Sequence, residues 1–201
     1  MMKLYKVLGP KGESCHGGSG HWNMPKGSRP GKWMPKIENV VPCESGYHLC
    51  RLSDLPGWLG PVIWEAEGRG TKVLADDKVV FGQARLLFAT GWNEKAARLF
   101  AADCAEHVLP IFEKLRPKDD RPRKAIEAAR AFARGEISAA ARDAARDAAR
   151  AAAGAAARAA AGATAGDAAR AAAWDAAWAA AGDAERKWQS QRLAMYLAVV
   201  G

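Results

Sequence analysis

The sequence predicts an α+β chain, with a small β-rich, loop-rich domain over residues 1–90 and an alanine-rich helical bundle over residues 91–201. Three observations carry this. Short runs of β-branched and aromatic residues alternate with Gly- and Pro-rich turns as far as Leu87. From Asn93 onward apolar residues recur at helical spacing. Beyond Ser138 alanine dominates, with 29 alanines in the 46 positions from Ala139 to Ala184. Alanine has the highest helix propensity of any residue.

The strand-like runs are "KLYKVL", "PVIWEAEG" and "TKVLADDKVVF". Within them, "WEAEGRGTKVLA" reads as a hairpin whose turn Gly68 and Gly70 supply. "HGGSGHWNMPKGSRPGKW" is the longest loop. "PCESGYHLCR", from Pro42 to Arg51, reads as a structural turn that leads into a short helix.

The first long helix begins after Asn93, a good N-cap. Ala96, Leu99, Phe100, Cys104, Val108, Ile111, Phe112 and Leu115 form its apolar face, with His107 expected beside them in the core. Pro110 is expected to kink or split it. A second helix has Pro122 near its start and Gly135 at its end. The alanine tract then repeats every four residues. Four residues advance a straight helix by about 400°, so the repeat drifts roughly 40° per step and cannot face one partner along one rod. Breaks near Gly154 or Gly162–Gly166 are therefore expected. Trp188, Leu193, Tyr196, Leu197 and Val200 form a final apolar stripe that would lock the bundle.

The net charge is +8. A basic excess favours acidic partners, but acids are interleaved throughout and basic residues never run five together, so the electrostatic signal is mild. The opening "MMKLYKVLG" has no apolar run of signal-peptide length, and four cysteines then point to a reducing, cytoplasmic setting with free thiols. Charges recur through the alanine tract, which argues against a membrane span.

Cys43, His48 and Cys50 are the candidates for a metal site, with Cys15, His16 or His21 to complete it. Six residues separate the two cysteines, unlike common zinc modules. The expectation is no metal and no cofactor, with the thiols packed as small hydrophobes and His48 hydrogen-bonded beside them. Trp22, Trp33, Lys26, Arg29 and Lys32 mix bases with aromatics as single-strand binders do, or are half-buried tryptophans among solvated charges. Arg170, Trp174 and Trp178 stand at i, i+4 and i+8. They either fill gaps between alanines or form a partner-binding hot spot, and they are the candidate contact residues. No catalytic residues are assigned.

"NEKAARLFAADCAEHVLPIFEK", "DDRPRKAIEAARAFARGEI", the alanine repeats and "AERKWQSQRLAMYL" together resemble the immunity-protein-five-like helical domain of bacteria and phages. The resemblance covers about residues 92–198 and implies an immunity protein of a polymorphic toxin system. "LYKVL", "CESGYHLCR" and "IWEAEGRG" resemble an uncharacterised bacterial and phage domain marked by a Cys, Gly, aromatic, His, Cys run. Neither resemblance brings catalytic residues with it. The expected function is non-enzymatic binding of a protein partner, which a toxin would satisfy. The alternatives are a basic nucleic-acid binder and an NAD-using enzyme resembling ADP-ribosyltransferases, in which Glu65 or Glu67 would act.

Overall fold

The computed structural model describes residues 2–18, 20–148 and 168–198, and at 115 and 168–181 the backbone alone. Four strands come first: β1 (Leu4–Leu8), β2 (Tyr47–Leu49), β3 (Val62–Ala75) and β4 (Lys78–Ala89). The helices are α1 (Glu94–Leu115), α2 (Arg121–Ala133), α3 (residues 139–148) and α4 (Ala168–Leu197). The α+β order read from the sequence is the observed one. The chain divides into two compact units, one reaching Asn93 and joined by the segment from Ala184 onward, the other Glu94–Asp183.

In the first unit the strands form one antiparallel sheet in the order β1-β3-β4-β2. Its outer strands also meet, because Tyr5 and Cys50 exchange both backbone hydrogen bonds at 2.8 Å. The sheet therefore curls until its edges touch, which removes two exposed strand edges. Beyond β2, the backbone N–H groups of Gly31, Met34 and Ile37 donate to Leu86, Ala84 and Gly82, so the proline-bearing loop covers the rest of the β4 edge. Leu4, Leu8, Leu49, Val79, Phe81 and Leu86 build the core, and Trp22 and Met34 of the long loop close it.

The hairpin turn differs from expectation. β3 runs unbroken through Gly68 and Gly70, and the chain reverses at Asp76–Asp77, since Ala75 pairs with Lys78. The glycines serve other ends. A Cβ at Gly68 would fall 2.3 Å from the Phe81 ring. Gly70 has φ +77° at the register shift between Arg69 and Lys72, a bulge that L-residues adopt at a cost.

The "PCESGYHLCR" stretch is a turn, but it leads into β2, and helical structure waits for a single 3-10 turn at Leu55–Gly57. Val41 and Ser45 exchange backbone hydrogen bonds across it. Cys43 takes φ +69° and Gly46 φ +125°.

In the second unit α1 continues through Pro110 without a break. Its packed face is narrower than the periodicity suggests. Ala102 and Leu109 bury against Ile126 and Ala129 of α2, whereas Val108 and Ile111 are exposed, 42% and 68% respectively. His107 is exposed rather than in the core. Arg130 of α2 ties the helices together, donating to Asp103 at 2.7 Å and to both Glu106 oxygens at 2.8 and 2.6 Å. The Arg130 bond holds Glu106 below the usual carboxylate range. Gly135, at φ +79°, ends α2, and the Ser138 hydroxyl caps α3 at the Ala141 N–H. Gly154, Gly162 and Gly166, where breaks were expected, lie outside the described residues.

The closing stripe is centred on Ser190, Leu193 and Leu197, all buried, with Trp188 and Tyr196 half-buried beside it. Val200 lies outside the described residues. A Cβ on Gly91 would approach the carbonyls of Ala198 and Tyr196 to 2.5 and 3.0 Å, so the end of α4 sits directly on the β4–α1 connection.

Candidate functional site

A cavity of about 360 Å³ opens in the first unit beside β1 and β2. Alternation along "LYKVL" puts Lys6 on the same face as the buried Leu4 and Leu8. Its ammonium donates to the His48 carbonyl at 3.1 Å and lies 5.1 Å from the Trp22 ring. Burial pulls the amine below the ordinary lysine value. Lys78 also lines the cavity, ion-paired with Asp77 at 3.0 Å and 4.9 Å from the Trp58 ring. The hydrogen bond it donates to the Asp77 carboxylate raises the Lys78 amine.

Aromatic rings form the walls. Trp22 meets Tyr47 edge to face at 5.5 Å, and His16 meets Trp58 in the same way at 5.4 Å. One ring of each pair is pinned by a backbone carbonyl: Tyr47 donates to Pro35 and the Trp58 indole to Asp77. Such edge-to-face pairs with fixed polar ends make rigid walls.

Cys43, His48 and Cys50 all line this cavity. His48 Nε2 accepts the backbone N–H of Cys43 at 3.0 Å, so the imidazole closes the turn and does not address a thiol. Burial, aided by Lys6 and Lys78, keeps His48 below its usual value and hence neutral. Burial pushes the Cys50 thiol up to about 12. A protonated thiol and an imidazole committed to a backbone amide do not make an activated nucleophile. Among the described residues no group of three or more His, Cys, Asp or Glu is placed to hold a metal ion.

Glu65 and Glu67 stay away from the cavity. Glu65 pairs with Lys3 at 3.0 Å, and Glu67 with Arg85. Of the basic–aromatic set of the long loop, the two tryptophans are engaged, while Lys26, Arg29 and Lys32 are exposed. Trp22 is buried, and the guanidinium groups of Arg69 and Arg85 lie 4.0 and 4.7 Å from the Trp33 ring. Sequence reasoning missed Lys6, Trp58 and Lys78 as partners in one site. Only Lys6 left a signal, a lysine at an inward position between two leucines.

The second unit carries an apolar groove of about 290 Å³, lined by Ala101, Ala105, Ile126 and Ala129. At its rim Arg98 and Arg142 lie over the Phe132 ring at 4.6 and 4.4 Å. Arg170, Trp174 and Trp178 belong to α4, and their side chains lie outside the described residues.

Residues 92–183 match a protein family described as Imm-5 like putative immunity protein. The matched stretch and the helical unit, Glu94–Asp183, nearly coincide. It stops short of "WQSQRL". No curated protein and no solved structure matches the chain. Among the described residues no helix is long and apolar enough to cross a membrane.

Proposed function

We propose that this chain is a non-enzymatic protein-binding module, a cytoplasmic immunity or interaction protein of a bacterial or phage conflict system. Its helical unit carries the contact. The match of residues 92–183 to the immunity family carries this reading. Two features of the same unit support it. Val108 and Ile111 are exposed large apolar side chains, and an alanine-lined groove lies between arginines that are held in place by Phe132. Small residues along a groove let a partner backbone approach closely, while Arg and Trp supply most hot-spot energy. Arg170, Trp174 and Trp178 are the proposed contact residues on α4. A toxin is the partner that an immunity role implies.

The test is a binding or protection assay, after capture of the partner from the native host. Replacing Trp174 or Trp178 by alanine should weaken binding by about 2 kcal/mol, roughly thirtyfold. Glu65→Gln and Glu67→Gln should have little effect. The reverse pattern would sink the reading and direct attention to the sheet unit as an enzyme. A steep loss of binding with salt, on a nucleic-acid probe, would instead favour the basic-binder alternative.

A further inference from the structure

The sheet unit contains a feature that protein binding by the helical unit leaves unexplained. Lys6 projects from the core face of β1, between buried Leu4 and Leu8, into the wall of the 360 Å³ cavity. A charge taken out of water is costly unless an opposite charge accompanies it. Among the described residues no carboxylate pairs with Lys6. Its partners are one carbonyl oxygen and the Trp22 ring. The carboxylates nearby belong elsewhere: Asp77 is paired with Lys78, Asp54 with Arg51, and Glu44 is exposed at the cavity's edge.

The residue opposite Lys6 also carries an unpartnered donor. Trp64 stands opposite Lys6 in the β1–β3 ladder, so the two side chains are neighbours on one face. The Trp64 indole N–H is buried with no hydrogen-bond partner among the described residues. Buried donors are nearly always satisfied, and one that is not calls for an explanation. Trp64 packs against the apolar core and does not line the cavity, so its indole N–H is a feature separate from the Lys6 ammonium. Around the cavity, Trp22, Tyr47 and Trp58 present rings, and Lys78 adds a second ammonium.

We infer that this cavity binds a small anion carried on a planar aromatic body, with the anionic group at Lys6 and the ring against the Trp22–Tyr47 and Trp58 walls. A volume of about 360 Å³ suits a ligand of mononucleotide size or smaller, near the lower end of ordinary small-molecule pockets. A phosphate and a carboxylate would serve the ammonium equally well, so the shared chemistry is the aromatic anion. The site is independent of the helical unit's partner.

Calorimetric titration of the full chain tests this with adenosine monophosphate and 4-hydroxybenzoate, each beside its uncharged counterpart, adenosine or phenol. At least one anion should bind at least tenfold more tightly than its neutral counterpart and shift the Trp22 and Trp58 indole resonances. Binding of the first alone identifies a phosphate-bearing ligand, and of the second alone an aromatic acid. Lys6→Met should reduce the favoured anion to the level of its neutral counterpart. If that variant does not fold, Lys78→Gln should still weaken the anion severalfold and leave the neutral counterpart unchanged. No binding by either anion at millimolar concentration would overturn the inference. So would equal binding of charged and uncharged probes, or a folded Lys6→Met that binds as before.

Discussion

His48 Nε2 accepts the backbone N–H of Cys43 at 3.0 Å, so a strand residue fastens the turn five residues before it. The bond requires a neutral imidazole, because a protonated ring has no acceptor. Burial lowers the His48 value from 6.5 in the folded chain. The unfolded chain therefore takes up a proton first as pH falls through 6.5, and the fold loses stability until the lowered native value is reached. Urea midpoints at pH 7.5 and about pH 5.5 should show this loss in the native protein. His48→Asn should show a clearly smaller one. Equal losses in both would remove His48 from the account.

Cys50 has the opposite sign. Its thiol is held up to about 12 against an ordinary value of 9.0, so the folded chain keeps a proton that the unfolded chain releases. Stability should fall as pH rises from 9 and level off near 12. Cys50→Ala should flatten that decline. At neutral pH iodoacetamide should modify exposed Cys15 and Cys43 and leave buried Cys50 unlabelled until urea is added, as read by mass spectrometry. Early labelling of Cys50 would contradict its burial.

Arg130→Met should destabilise the helical unit by about 3 kcal/mol, because it strips buried Asp103 of its guanidinium partner. Circular dichroism melts would register it. Arg134→Met removes only an exposed pair with Glu136, and should leave the melting temperature nearly unchanged. If the two variants melt alike, the α1–α2 tie does not depend on Arg130.

Gly91→Ala should cost on the order of 1–3 kcal/mol, since its Cβ would press on the carbonyls of Ala198 and Tyr196. Limited proteolysis should then cut first near the end of α4. Gly57→Ala is the control, as no atom lies within 4 Å of a Cβ there. An unchanged melting curve for Gly91→Ala would mean that the end of α4 does not rest on this connection.

Element type and order were legible from the sequence by itself. Periodicity marked β1, β3, β4 and α1, Pro122 and Gly135 bounded α2, and alanine marked the helical tract beyond Ser138, because these signals act within one or two turns of chain; β2, three residues long, carries no such signal. The resemblance to an immunity family was legible too, through local strings such as "RPRKAIEAARAFARGE". Long-range relations were decided only by the tertiary structure. Gly68 looked like a turn residue, yet it is glycine because Phe81 of the neighbouring strand needs the room. His48 looked like a metal ligand or a hydrogen-bonded neighbour of the thiols, and its acceptor role depends on a turn that places the Cys43 amide in reach. The segment from Ala184 reads as the end of a helical bundle, and in space it groups with the sheet. Lys6 and His48 meet in one cavity because the sheet curls until Tyr5 and Cys50 pair, 45 residues apart in the chain. Local propensity is additive along the sequence, whereas curling, edge closure and the choice of neighbours depend on all the packed side chains together.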